Sequence, residues 1–362
     1  MADEDTPTEV LDLETIRALP KVALHDHLDG GVRPQTMLDI AAEVGHQLPA
    51  GDADSLATWF FEAADSGSLV RYLETFDHTI AVMQRAEDLR RIAREFVLDQ
   101  AADSVVYAEA RWAPEQHTRA GLSMAEAIRA VGEGLREGVR TAADQEQYIT
   151  VRQLVTGMRH TDTSREVAEL GLDHAGDLVA GFDIAGPEDG FPPSNHAAAF
   201  SLLRENLGRF TIHAGEAAGV DSIRDALVQG GQRLGHGVRL IEDIDDSGDL
   251  PSLGPVAAYV LDRQIPLEVC PTSNLQTGIA QTYAEHPVGT LVELGFNVTI
   301  SCDNRLMSRT TLSNELHQLV QAFGFDRVQL ARFARNSIRA AFLPHTVAEQ
   351  IFAEQIVPGY AG

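Results

Sequence analysis

Eight short runs of β-branched and apolar residues, separated by stretches with helical periodicity, organise this 362-residue chain. The runs are VALHDHL (22–28), VVYAEARW (105–112), ITVRQLVTGM (149–158), LVAGFDIAG (178–186), RFTIHAGE (209–216), RLGHGV (233–238), PLEVCPTSN (266–274) and NVTISCDN (297–304). Between them, segments such as MAEAIRAVGEGLREGV and SIRDALVQGG place apolar residues three and four apart, as helices covering a sheet do. Asp221-Ser222 before IRDAL and Gly230-Gly231 after it are start and stop signals. Strands alternating with helices predict a parallel sheet, and eight is the number that closes a (β/α)8 TIM barrel. An open doubly wound sheet is the alternative, but no GxGxxG follows the first run.

The α/β barrel is expected to be one domain over residues 15–362, after an acidic, flexible extension of residues 1–14. Additional helices are expected after strand 1, in the long connection 29–104, and at the C-terminus. Part of that connection, LATWFFEAADSGSLVRYLETF, is aromatic and reads as a lid, with Phe60, Phe61 and Phe76 as candidates to cover a flat ligand. A hydrophobic fraction of 44% supplies ample core, and a formal charge of −26 argues against nucleic acid or an anionic membrane as partner. The N-terminus lacks the basic and apolar regions of a signal peptide, and no apolar run is long enough for a bilayer. With two cysteines, Cys270 and Cys302, the chain has no disulfide framework, and a cytoplasmic setting is expected.

Chemistry in such barrels sits at the C-terminal ends of the strands. Strand 1 ends in His25-Asp26-His27, and two histidines one residue apart share a strand face and reach one ion together. His213 ends strand 5, His236 strand 6 and Asp303 strand 8, with Glu109, Arg111, Arg159, His160, Asp183, Gly186, Glu216, Ser273, Asn274 and Asn304 on the same predicted rim. Each has an ordinary reading alone: a core histidine, a turn, a helix cap at Asp303. Together they describe a metal site. Lys21, before strand 1, is the only lysine, so no carboxylated lysine on a middle strand is available to bridge two ions. A single-metal site follows, with His25, His27, His213 and Asp303 as ligands and room for a water. Asp26 should face away from the metal by strand alternation.

The sequences PKVALHDHLDGGVRP, GFDIAG, FTIHAGE, RLGHGV, LEVCPTSN and ISCDN, in this order, resemble the adenosine deaminase family of the amidohydrolase superfamily over roughly residues 15–345. The resemblance implies one Zn2+ per chain on those four ligands and three catalytic residues, Glu216, His236 and Asp303. Glu216 would sit against the ring nitrogen beside the reacting carbon, and His236 would hold the attacking water. The substrate side would be formed by His27, Asp29 toward the ribose 5′-hydroxyl, the Gly186 N–H at the purine edge, and Asn304. Many family members have a second aspartate where Asn304 stands; the Asn304 amide can donate to purine N7 without a pKa shift.

The implied function is hydrolytic deamination of adenosine and 2′-deoxyadenosine to inosine and deoxyinosine in purine salvage, with a small purine nucleoside as partner. Deamination of another 6-aminopurine compound (6-aminodeoxyfutalosine, adenine or an N6-substituted adenine) and a catalytically silent nucleoside-binding barrel are the alternatives. The sequence does not set the oligomeric state.

Overall fold

The computed structural model describes residues 11–361 apart from 177, 246 and 249. The eight predicted strands are β1 (Lys21–His27), β2 (Val105–Trp112), β3 (Thr150–Met158), β4 (Val179–Ala185), β5 (Thr211–Ala214), β6 (Arg233–His236), β7 (Leu267–Val269) and β8 (Val298–Ile300). They pair in parallel as two four-stranded sheets, β1-β2-β3-β4 and β8-β7-β6-β5. Isolated parallel bridges, Asp26 to Asp303 and Phe182 to Phe210, join the sheets at both seams. At the first seam the His27 N–H donates to the Asp303 carbonyl at 2.8 Å, and the Asp303 N–H donates to the His25 carbonyl at 2.9 Å. This is the arrangement of a (β/α)8 barrel.

Alternation along β2 separates two environments. Ala108, Ala110 and Trp112 are buried in the apolar layer shared with the helices, while on the other face Tyr107 donates to Glu109 of its own strand and Glu109 and Arg111 engage charged groups of other strands. That polar interior is dense: Glu109, Arg111, Asp183, Arg233 and Glu268 are all at most 1% exposed. Glu109, expected at the rim, instead takes Arg233 at the start of β6 at 2.6 Å and the Phe342 N–H at 2.7 Å. Facing Arg233 rather than the mouth, it belongs to the barrel interior.

The β1–β2 connection carries helices Pro34–Val44, Ala53–Ala64, Leu69–Glu74, Phe76–Ala81 and Ala86–Ala102. Leu312–Phe323, Arg327–Ala340 and His345–Ile351 form the helical C-terminal layer. The expected extension 1–14 lies mostly outside the described residues. Leu11 is already buried, and the Asp12 side chain accepts the Thr15 N–H to cap the helix Leu13–Ala18, so the expected boundary falls inside that helix. Lys21 holds the end of the same helix by donating to the carbonyls of Ile16, Arg17 and Leu19 at 3.0, 3.0 and 2.6 Å.

The run PLEVCPTSN is strand only to Val269. Pro271 opens the helix Pro271–Gln276, where its missing N–H costs nothing, so Ser273 and Asn274 are presented from a helix. Cys270 and Cys302 are free and buried. Among the described residues no helix is long and apolar enough to cross a membrane.

Candidate active site

Two of the site residues have backbones that an L-amino acid seldom adopts. His236 has φ 61° and Asp303 φ 62°, in the left-handed region, which costs of order 1–3 kcal/mol each. Both turn the chain sharply as the strand ends and bring the side chain over the barrel mouth. The imidazoles of His27, His213 and His236 surround that of His25 with ring centroids 4.5–5.4 Å from it, and His213 stands 5.4 Å from both His27 and His236. Ligand atoms of His25, His213, His236 and Asp303 all lie within 4.8 Å of one another. His27 borders this group, its Nε2 3.3 Å from Asp303 Oδ1.

The far sides of these residues are held. His25 Nδ1 faces Glu268 Oε2 at 3.1 Å, and His213 Nδ1 lies 3.1 Å from Asp183. Arg111 joins these two carboxylates, at 2.7 Å from Glu268 and 3.2 Å from Asp183. Ser273 donates to Asp303 Oδ2 at 2.7 Å. Orientation of ligand imidazoles by carboxylates behind them is the pattern of a metal centre. Burial pushes His213 down and His27 well down from the usual imidazole value, so both are neutral, as ligands must be. Nε2 of the fully buried His25 has no hydrogen-bond partner among the described residues, a position that a cation fills. The residues present fit a metal ion with nitrogen and oxygen ligands.

A cavity of about 440 Å³ opens beside this cluster. His27, Asp29, Gly186, His213, Glu216, His236, Asp303 and Asn304 all line it, so the expected substrate-side residues reach one space with the residues expected to be catalytic. Glu216 Oε1 and Asp29 Oδ1 in its wall are buried without protein partners among the described residues. Burial, with Asp303 and Glu188 nearby, holds the Glu216 carboxyl well above its usual range. Its Oε2 is 3.5 Å from His236 Nε2. Burial pushes Asp29 up to about 7.

Glycines shape the wall at two points. Gly186 has φ 106°, and a Cβ on Gly30 would stand 1.9 Å from Asn304 Oδ1. Of the three phenylalanines expected over the mouth only Phe76 lines the cavity, with Leu69, Tyr72, Leu73 and Ile80. Phe60 is fully buried, because Leu56, Phe60 and Ala64 recur four apart on the inward face of their helix. Met158 and His160 line the cavity, and the buried Arg159 guanidinium, without a hydrogen-bond partner among the described residues, lies in the field of Glu188, Asp183 and Glu216. Asp26 faces away from the metal group, as expected, and pairs with Arg305 at 2.9 Å and with Gln100.

Sequence reasoning missed Glu188 and His286. The Glu188 carboxylate accepts the N–H groups of Gly215, Glu216, Ala217 and Ala218 and the Ser222 hydroxyl, at 2.6–3.0 Å. One side chain thereby fixes the backbone that carries Glu216. Its location in GPEDG, beyond β4, was the only available signal.

A family model for adenosine deaminase matches residues 20–357. The chain belongs to the adenosine deaminase family. Within it, the chain is 53% identical to an adenosine deaminase of Mycobacterium leprae over 354 residues, covering 97% of this chain and 98% of that one. Among solved structures, it is similar to an amidohydrolase from Burkholderia ambifaria with bound Zn, at 26% identity and TM-score 0.83, over 99% of this chain and 95% of that one. It is also similar to an adenine deaminase from Arthrobacter aurescens, at 25% identity and TM-score 0.82, over 95% of this chain and all of that one. Membership of the adenosine deaminase family and the zinc in one neighbour agree with the metal-binding character of the His–Asp cluster.

Proposed function

We propose that this chain hydrolyses adenosine and 2′-deoxyadenosine to inosine and 2′-deoxyinosine with release of ammonia, using one zinc ion held by His25, His27, His213 and Asp303. The observation that carries the reading is the buried Glu216 carboxyl, its Oε1 without a hydrogen-bond partner among the described residues, across one cavity from the histidine–aspartate cluster. The names of the curated relatives support the substrate.

When bound, zinc brings the pKa of a ligated water to about 7 and so supplies a nucleophile at neutral pH. The chain's own residues do the rest. Glu216 donates its proton to purine N1 as water adds at C6, which breaks the aromaticity that protects that carbon. This general-acid step is worth roughly 10²–10⁴-fold. His236 and Asp303 orient the attacking water. The Gly186 N–H and Asn304 hold the purine edge, and Asp29 with His27 borders the ribose. Proton return to the amino group releases ammonia.

A 5′-phosphate is disfavoured, since Asp29, Glu74 and Asp77 line the cavity against a single arginine, Arg119. Zinc-loaded protein is expected to lower adenosine absorbance near its maximum as inosine forms, and Glu216→Gln is expected to keep zinc while losing roughly 10²–10⁴-fold in turnover. Zinc and adenosine both bound without an absorbance change would sink the reading. Rates across adenosine, 2′-deoxyadenosine, adenine and 6-aminodeoxyfutalosine rank the substrates.

A further inference from the structure

His236 is the ambiguous member of the cluster, because its Nε2 stands where either a ligand or a hydrogen-bond donor would serve. The position of its proton decides between them, and a chain of three hydrogen bonds behind it determines that position. The chain begins at a backbone amide, whose hydrogen is fixed. The Val288 N–H donates to His286 Nδ1 at 3.0 Å, so that nitrogen carries a lone pair. Burial pushes His286 down to about 3, and the neutral ring therefore has its proton on Nε2. His286 Nε2 lies 3.2 Å from the Asn274 side-chain oxygen, which accepts it. The amide orientation of Asn274 is then settled: its NH2 is the group that faces His236 Nδ1, at 3.1 Å. A donor there requires a lone pair on Nδ1, which places the His236 proton on Nε2. All three side chains are at most 2% exposed, so no solvent is available to reverse the order.

We propose that His286, acting through Asn274, fixes His236 as the Nε2–H tautomer, so that this residue meets the reaction as a hydrogen-bond donor and not as a metal ligand. A nitrogen bearing hydrogen has no lone pair for an ion. The contrast with its neighbours is direct, because His25 and His213 face carboxylates through Nδ1, where His236 faces an amide. The proposal gives a physical reason for His27 rather than His236 as the third imidazole of the metal set. It also assigns Asn274 and His286 as positioning residues, reached from the helix Pro271–Gln276 and the loop before the helix Val288–Glu293.

The inference rests on the reading of His236 as facing the attacking water. Its first test needs no substrate, so failure of the adenosine assignment leaves the tautomer result standing. Zinc-loaded protein labelled with 15N in histidine is expected to show His236, identified by its loss in His236→Asn, with a protonated Nε2 and an unprotonated Nδ1. In Asn274→Asp the carboxylate accepts from Nδ1, so the tautomer inverts. kcat should fall roughly 10–100-fold, with metal content and KM held far more closely. A Nδ1–H tautomer in the wild-type protein overturns the proposal, as does an unaltered tautomer in Asn274→Asp.

A second pair of variants covers a misfolded aspartate variant. His286→Leu removes the donor and should mix the two tautomers, while His286→Gln donates to Asn274 through its amide and should recover most of the lost kcat. Equal losses in both variants with an unchanged tautomer show a merely structural residue and overturn the proposal.

Discussion

Glu188 exposes what one carboxylate can do for a neighbour it never touches with its side chain. Four consecutive backbone N–H groups, from Gly215 to Ala218, converge on it. Its charge adds to the burial that pushes the Glu216 carboxyl up. Glu188→Gln keeps the shape but turns an NH2 toward those donors, and a shift of the Glu216 backbone by about 1 Å costs of order 10²-fold in rate. The expected outcome is a kcat loss of that size with KM for adenosine much less affected; steady-state kinetics showing the loss in KM instead would remove Glu188 from this role. The contrast with the histidines explains what the sequence could reveal at this scale. His25, His27, His213, His236 and Asp303 were legible because strand ends fall at countable positions. Glu188 and His286 act across loops, on partners 27–34 and 12 positions away, and no periodicity encodes such contacts.

Among elements, the strands were legible and the lid only partly so. The β-branched runs are bounded by turn residues and all eight appear, with the seventh cut short where Pro271 starts a helix. The lid stretch is largely helical in pattern, yet it divides: Leu69–Glu74 and Phe76, at the start of Phe76–Ala81, line the cavity, while Ala53–Ala64 buries Phe60 away from it. Periodicity gave an apolar face without saying which side of the molecule it would cover, so Phe60 and Phe76 could not be told apart. With Phe76 in the roof, Phe76→Ala is expected to raise KM for adenosine roughly tenfold and to change kcat less. An unchanged KM would place the ligand away from these helices.

For the molecule as a whole, buried carboxylates beyond the candidate site influence stability. Glu315 on the helix Leu312–Phe323 accepts the Thr272 N–H at 3.0 Å and its hydroxyl at 2.5 Å, tying the C-terminal layer to the helix that presents Ser273 and Asn274. Burial pushes its carboxyl from the ordinary 4.5 to about 7. Between those values the folded protein keeps a proton that the unfolded chain gives up, so this group lowers stability as pH rises across the window. Glu315→Gln does not titrate, and its Tm should fall less than that of the wild type between pH 5 and pH 8, by roughly 2–4 °C in thermal unfolding. Equal falls would show that Glu315 carries no such penalty. The seam between β1 and β8 has a different consequence, one in time. His25 and His27 leave the ribosome early, but Asp303 follows only after most of the chain, and at 5–20 residues per second that interval is of order tens of seconds. Throughout it the first two histidines wait without their carboxylate partner, so a complete metal site certifies that synthesis has passed the last strand and that the ring has closed.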